Sequence, residues 1–535
     1  MKLTVFLPAM HPSKHHTGYL RQIAESFLRG SEKLHIITSR ALELDTAYVH
    51  ITNDVPSSLI QELQKLSSDE TALILNEDVC GPVFDLDDLM ARIQHVKDTA
   101  VELVRGSGLA VIHGKALTST ALNRWLQNLE DTSLLTAASS GELYNTAELR
   151  DVTEQPMLDE PAYLIDRLGF PFFSHKVFHR PYHNVLSTTL GQQSDELLKC
   201  LQRYAFDLNP LMDMLIHQEH QEDLLHGFHL HYTLSSSISP SDVSFASTDH
   251  FLALGMHLYY MDLIEQSRKY AQNFPPYTDI FITTSDEEKK KTIENAFRDV
   301  ACHSLTVIVI GNRGRDVSSL LVGLAHLSDW QIVCFYHDKK TLQTKPGSIG
   351  VGFAYMLAEN MFGSSQYVLN VIDLFLKNPR LGLACPPAPN HSDYYFTMGL
   401  PWGPNWNVTY DLYQRLNLSV PISQEKPPVA PLGTCFWFRG KALENLLQKG
   451  WCYEDFPPEP NGTDGTLLHA FERIYPYCVQ EAGYFAAYIY SDRFAAMEIT
   501  SYKHYIRGFN RVADHHSIIN KVDEMISAVD DRWKD

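Results

Sequence analysis

The chain is poor in cysteine, with 8 in 535 residues, and no two of them stand in a C-x-x-C spacing. Cys80, Cys200, Cys302, Cys334, Cys385, Cys435, Cys452 and Cys478 are scattered, several inside apolar runs such as IVCFY. This excludes a disulfide scaffold and the usual zinc spacings, and predicts reduced, buried thiols in a cytoplasmic protein. Long hydrophobic runs are missing too. No stretch approaches the roughly 18 apolar residues of a membrane span. The N-terminal LTVFLP stops at His11 and Pro12, so it reads as a strand and not as a signal peptide. Any membrane contact is expected to be peripheral. Positive charge is also short: 44 Lys and Arg stand against 64 Asp and Glu, a formal net charge of −20. No net basic domain or stripe is evident, which argues against a nucleic-acid partner. No P-loop, GxSxG or HExxH motif occurs. The histidine-rich HPSKHH (11–16) and HGFHLHY (226–232) fit no standard metal spacing.

What is present is enough to build cores. Apolar residues make up 44% and charged residues 20% of the chain, and the length suits two to four domains. In residues 1–150, LTVFLP, LHIITS, YVHIT and TALIL predict strands. IQELQKL and DLDDLMARIQHVKDTAVELV predict helices. Such alternation indicates an α/β domain with a mostly parallel sheet. Residues 151–245 read as a mainly helical connecting segment ending in the serine-rich linker SSSISPSDVS. A second α/β domain is expected over 246–515, with strands FLALGMHLYY, DIFITTS, LTVIVIG, WQIVCFY and RLGLACPP. Residues 516–535 would form a helical tail. Within the second domain, Pro401 to Pro431 is rich in Pro, Trp and Asn and reads as a long loop. Three pairs of segments recur in the same order: LHIITS with IFITTS, NDVPSSL with RDVSSL, and ALILNED with IVCFYHDK. Their shared order indicates an internal duplication.

Three segments carry candidate chemistry. GNRGRDVSSLLVGL (311–324) follows a strand and opens a helix. Its glycines permit close ligand approach, and the helix start and Arg313 and Arg315 suit a diphosphate. Asp316 can hold a hydroxyl or serve as a plain helix cap. YHDKK (336–340) ends a strand, at the sheet edge where open α/β sheets bind ligands. Asp338 can hold a divalent cation there, and Lys339 or Lys340 can neutralise a diphosphate, unless the segment is only a charged turn. In EDFPPEPNGTDGTLLHAFER (454–473), Asp464 stands just before a helix, as a general base or a cap.

These pieces together resemble the rhamnan synthesis protein F family of bacterial polysaccharide enzymes. The likeness runs over about residues 250–500, through YTDIFITTSDEEKK, GNRGRDVSSLLVGL, YHDKK, NPRLGLACPP, GTCFWFRGKALENLL and EDFPPEPNGTDGTLLHAFER. It is looser over ALILNEDVCGPVFDLDDLM and FPFFSHKVF. The resemblance implies two GT-A/Rossmann-like domains and transfer of a sugar, with inversion, from dTDP-rhamnose to a lipid-linked oligosaccharide at the inner face of the membrane. Other polysaccharide-synthesis enzymes would be its partners. It implies Asp464 as base, and Asn312, Arg313, Gly314, Arg315, Asp316, His337, Lys339 and Lys340 as donor-binding residues. Asp338 would hold Mg2+ or Mn2+, although the motif departs from the usual DXD. Trp402, Trp406, Tyr410 and Trp437 would meet the acceptor, the first three by stacking on sugar rings or merely by packing their segment down. Asn76, Glu77 and Asp78 take the acidic-motif position in the first copy, which has no GNRGRD counterpart and is expected to be inactive or acceptor-binding. The alternative is a non-catalytic polysaccharide-binding or scaffold protein on a degenerate glycosyltransferase fold.

Overall fold

The computed structural model describes residues 2–9, 20–24, 33–38, 48–67, 70–75, 79–83, 100–102, 110–113, 162, 165–166, 172–174, 193–240, 250–340, 346–389, 402–462 and 464–515. The expectations for HPSKHH, for Asn76, Glu77 and Asp78, and for the tail 516–535 lie outside these residues. The chain divides into two compact units, Met1–Leu215 with His226–Phe228, and Ile216–Leu225 with His229–Asp535.

The first unit holds strands β1 (Lys2–Ala9), β2 (Lys33–Thr38), β3 (Tyr48–Ile51), β4 (Glu70–Ile74), β5 (Val79–Cys80), β6 (Ala100–Glu102), β7 (Ala110–His113) and β8 (Phe173–Ser174). Six of them form a sheet in the order β3-β2-β1-β4-β7-β6. The first four are parallel, and β7 and β6 continue antiparallel. The four strands expected from apolar runs are all there. Of the helix expected over DLDDLMARIQHVKDTAVELV only Ala100–Glu102 lies within the described residues, and it pairs with β7 as a strand. Sheet pairing there overrides a helical pattern.

The second unit adds β9 (His231–Leu234), β10 (Leu252–His257), β11 (Asp279–Thr284), β12 (Ser304–Val309), β13 (Ile332–His337), β14 (Leu381–Cys385), β15 (Phe436–Phe438) and β16 (Phe485–Ser491). They form one sheet in the order β12-β11-β10-β13-β15-β14-β16-β9. Strands β10 to β13 are mutually parallel, and β15 runs antiparallel between β13 and β14. Both sheets thus open with the same order: third, second, first and fourth strand, then an antiparallel neighbour. Every residue of β10 and β14 is buried, and so is β13 up to Tyr336. A parallel sheet covered on both faces requires such unbroken apolar runs, which is why these strands were legible. β9 comes from the segment expected to connect the domains; it pairs with β16 at the sheet edge.

The expected loop from Pro401 to Pro431 contains a helix, Trp406–Leu416, that buries Thr409 and Leu412. Its proline and glycine punctuation lies at the ends, and the middle keeps a helical period. It packs on the helix Leu467–Glu481.

Candidate functional site

Parallel strands deliver their last residues to one sheet edge. In the second unit this edge opens into a polar cleft of about 450 Å³. Four places build it. His257, Tyr259 and Tyr260 follow from β10. Asn312, Arg315 and Asp316 come after β12. His337, Asp338, Lys339 and Lys340 come from β13. The far wall is Thr434, Glu459, Asn461 and, from the helix Leu467–Glu481, Leu468, His469 and Glu472.

Asp338 lies at the heart of it, 3% exposed. Its Oδ2 accepts from the backbone N–H groups of Tyr259 (2.9 Å) and Tyr260 (2.6 Å). Its Oδ1 is buried and has no hydrogen-bond partner. Burial pushes the carboxyl up to about 6, against the pull of those two N–H groups, His337 and Lys289. An orphaned buried carboxylate oxygen is costly, and a ligand hydroxyl would satisfy it.

Three cations line the same cleft. Lys340 pairs with Asp262 and lies over the Tyr260 ring. Lys339 sits over the Phe353 ring, 4.7 Å from its centroid. Arg315 holds Glu459 in a fork, Nε to Oε1 at 2.7 Å and Nη2 to Oε2 at 2.8 Å. That pairing raises the guanidinium further and holds Glu459 below its ordinary value. Each ring nitrogen of His337 faces a carbonyl oxygen, Asp338 at 3.0 Å and Gly433 at 2.8 Å. Asp316 lies 4.0 Å away. Burial raises the Asp316 carboxyl, but His337, the Thr434 hydroxyl, His257 and Lys339 outweigh it and leave it below the usual range. His257, under the floor, contacts the Thr283 hydroxyl at 2.9 Å and is pushed down to about 4 by burial.

The turn carrying Arg315 is a left-handed pair, Gly314 at φ +80 and Arg315 at φ +49. A non-glycine residue there is strained. The turn sends neighbouring arginines apart. Arg315 lines the cleft, whereas Arg313 leaves it, donating from Nε to the Phe456 carbonyl (2.8 Å) and from Nη2 to that of Glu454 (3.0 Å). Arg313 therefore braces the acidic loop and is not among the cleft residues. Gly314 caps the helix that follows, so Asp316 sits inside its first turn and is not the cap. That α-helix is only Arg315–Ser318, continued by a π turn over Ser319–Gly323.

Other expected residues do not reach the cleft. Asp464 is exposed and not among the lining residues. Its Oδ1 accepts from Asn405 Nδ2 (2.8 Å) and from the Gly465 N–H (2.9 Å), which ties the helix Leu467–Glu481 to the turn before Trp406–Leu416. Arg315 and Asp338 thus line one cleft, and Asp464 is not among its residues. Trp437 is fully buried and donates to the Met361 carbonyl (2.9 Å). Trp402 is buried, its N–H given to the carbonyls of Ser423 and Lys426. Neither can stack on a sugar. Tyr410 is exposed but stacks between Trp406 (5.6 Å) and Tyr413 (6.0 Å), one helical turn to either side. Its faces are taken by protein, so this ladder packs the segment down.

Sequence reading missed the far wall. His469 and Glu472 lie three residues apart in one helix, a spacing that puts both on one face. Glu472 Oε1 accepts from the Gly433 N–H (2.9 Å). His469 Nδ1 meets the Thr466 hydroxyl at 2.8 Å. In the tautomer that donates there, Nε2 is bare.

A divalent cation such as Mg2+ or Mn2+ takes six or more oxygen ligands. Four carboxylates line the cleft: Glu459 is held by Arg315, Glu472 accepts from the Gly433 N–H, Asp316 lies beside His337, and Asp338, whose Oδ1 has no partner, is followed by two lysines. Among the described residues no three His, Cys, Asp or Glu side chains converge as a metal site. Asp338 alone is not such a donor set, and the cations lining the cleft are Arg315, Lys339 and Lys340.

The fold and cleft define an α/β protein with a polar ligand site at the carboxyl edge of a parallel sheet. Compared with known families, residues 140–484 match the model for rhamnan synthesis protein F, and the chain belongs to that family. It is similar to the uncharacterized protein WxcX of two strains of Xanthomonas campestris pv. campestris, 27% identical over 233 residues. That match covers 43% of this chain and 31% of the relative, so the chain spans about a third of the length of the curated relatives it matches. Among solved structures, the apo-form glycosyltransferase GlyE of Streptococcus pneumoniae TIGR4 aligns over 66% of this chain and 89% of its own, at 10% identity. Its TM-score of 0.21 carries no argument. No helix among the described residues is long and apolar enough to cross a membrane.

Proposed function

We propose that this chain is a glycosyltransferase of surface-polysaccharide synthesis, and that the second unit carries the chemistry. The observation that carries the reading is the cleft itself. Its lining sets three cationic side chains, two of them paired with Glu459 and Asp262, among four carboxylates, of which Asp338 keeps one buried oxygen without a partner, at the sheet edge where α/β folds bind nucleotides. This reading takes dTDP-rhamnose as donor and a lipid-linked oligosaccharide as acceptor, and the family's description, rhamnan synthesis protein F, supports the choice of sugar. The common strand order of the two sheets supports a duplicated GT-A-like architecture in which the first copy has lost its catalytic turn.

In this reading Arg315, Lys339 and Lys340 take the diphosphate without a metal. Asp338 Oδ1 accepts a hydroxyl of the donor. An acceptor hydroxyl attacks the anomeric carbon from the side opposite the diphosphate, the bond to the diphosphate breaks, and the configuration inverts. The proton goes to His469 Nε2, which replaces Asp464 as the base. The leaving oxygen keeps the bonding electrons, and the cations neutralise it.

A nucleotide screen tests this. Saturation with dTDP at 100 times its dissociation constant should stabilise the protein by about 2.7 kcal/mol. Lys339→Ala should weaken that binding roughly ten- to a hundredfold, the worth of one charge-assisted hydrogen bond. If no nucleoside diphosphate raises the melting temperature, the donor assignment fails. Asp464→Asn gives a second check. An amide keeps the acceptor oxygen for Asn405, so turnover should stay within about tenfold of the parent, well short of the loss expected for a general base. A loss of a thousandfold with donor binding intact would restore Asp464 as the base.

A further inference from the structure

The last helix of the second unit, Asp492–His515, starts packed and ends exposed. Phe494, Ala495 and Glu498 are buried, and the helix contacts β16 and β9. Beyond them Ile499 is 55% exposed and Ile506 57%. Lys503, Arg507 and Arg511 are exposed as well. Helical periodicity sets Ile499 and Ile506 about 20° apart and places Lys503, Arg507 and Arg511 about 40° to 120° round from Ile499. An apolar row thus runs beside a cationic row. Residues 499–511 contain these three cations and no Asp or Glu, in a chain whose formal charge is −20. The local sign is reversed where the apolar side chains face solvent.

We propose that this helix lies on an anionic lipid bilayer, with Ile499 and Ile506 entering the interface and Lys503, Arg507 and Arg511 meeting the lipid phosphates. An amphipathic helix with a basic flank is the form that rests in a membrane surface without crossing it. Charge selects this occupant. A second copy of the helix would bring two like-charged rows together. An anionic surface pairs with all three cations and covers the isoleucines in the same step. The inference does not depend on which reaction the cleft performs.

The test is co-sedimentation of the full chain with vesicles of 30% phosphatidylglycerol and 70% phosphatidylcholine, against vesicles of phosphatidylcholine alone. Binding to the anionic vesicles and release by 0.5 M NaCl are expected, because exposed charges are screened at that salt. Changing Lys503, Arg507 and Arg511 together to Gln should lower the partition on the order of 100-fold, at about fivefold per cation. Ile499→Ser with Ile506→Ser should weaken binding while leaving the melting temperature unchanged, since both side chains already face water. Equal binding to both vesicle types overturns the proposal. So does a concentration-dependent dimer, by light scattering, that the serine variant abolishes in a chain that binds no vesicles. A serine variant that melts several degrees lower with no vesicle binding overturns it as well, by showing that the face is covered from within the chain.

Discussion

His469→Gln is expected to lower the turnover of sugar transfer by about 10²- to 10⁴-fold, the contribution of a positioned general base, while dTDP still stabilises the protein as in the parent. His469 lines the same cleft as Arg315, Lys339 and Lys340. Inversion needs the base on the side of the sugar away from the leaving diphosphate, the place this reading gives His469. The contact between Nδ1 and the Thr466 hydroxyl at 2.8 Å orients the ring and leaves Nε2 as the nitrogen without that partner. Removing the hydroxyl with Thr466→Ala should therefore cost less, roughly tenfold, by releasing the ring from this orientation. The two variants separate chemistry from binding. A base acts on turnover and leaves the affinity for the nucleotide alone, whereas a donor contact acts on KM. Wild-type turnover in purified His469→Gln would remove His469 from the reaction and leave Glu472, on the same helix face, as the remaining group of this wall that could take the proton.

The parallel strands of the second unit were legible because they are covered on both faces. FLALGMH and IVCFY are buried nearly throughout, so the runs are unbroken and their polar ends mark the carboxyl edge. Reading polar residues at strand ends brought Arg315 and Asp338 to one cleft. The same rule applied to β10 would have added His257, Tyr259 and Tyr260. Other features depend on three-dimensional direction. Arg313 and Arg315 are two residues apart, yet the left-handed turn between them sends one to the Phe456 carbonyl and the other into the cleft. Asp464 drew attention as a carboxylate before a helix, whereas the cleft is reached a turn further on, where His469 and Glu472 share a face. Trp402 and Trp437 look like sugar platforms in sequence, because the backbone carbonyls that take their N–H groups come from Ser423, Lys426 and Met361, far along the chain.

The turn that aims Arg315 makes the strongest claim about stability. A methyl on Gly314 would stand 2.7 Å from Ser318 Cβ and 2.8 and 2.9 Å from Cγ and Cβ of Phe456, at a backbone φ of +80. Overpacking of this kind costs about 1–3 kcal/mol, and a left-handed L-residue adds about 1–2 kcal/mol. Gly314→Ala should therefore lose about 2–5 kcal/mol by urea denaturation. Phe456 is buried and its carbonyl takes Arg313, so its displacement loosens the loop carrying Glu459, the partner of Arg315. Nucleotide affinity should fall together with stability. Gly311 provides the control: it has φ +76, but nothing lies within 4 Å of an added methyl. Gly311→Ala should cost only the conformational part, about 1–2 kcal/mol. If the two alanine variants are equally stable, close packing against Phe456 is not what holds the turn, and Arg315 must owe its direction to the Glu459 fork alone.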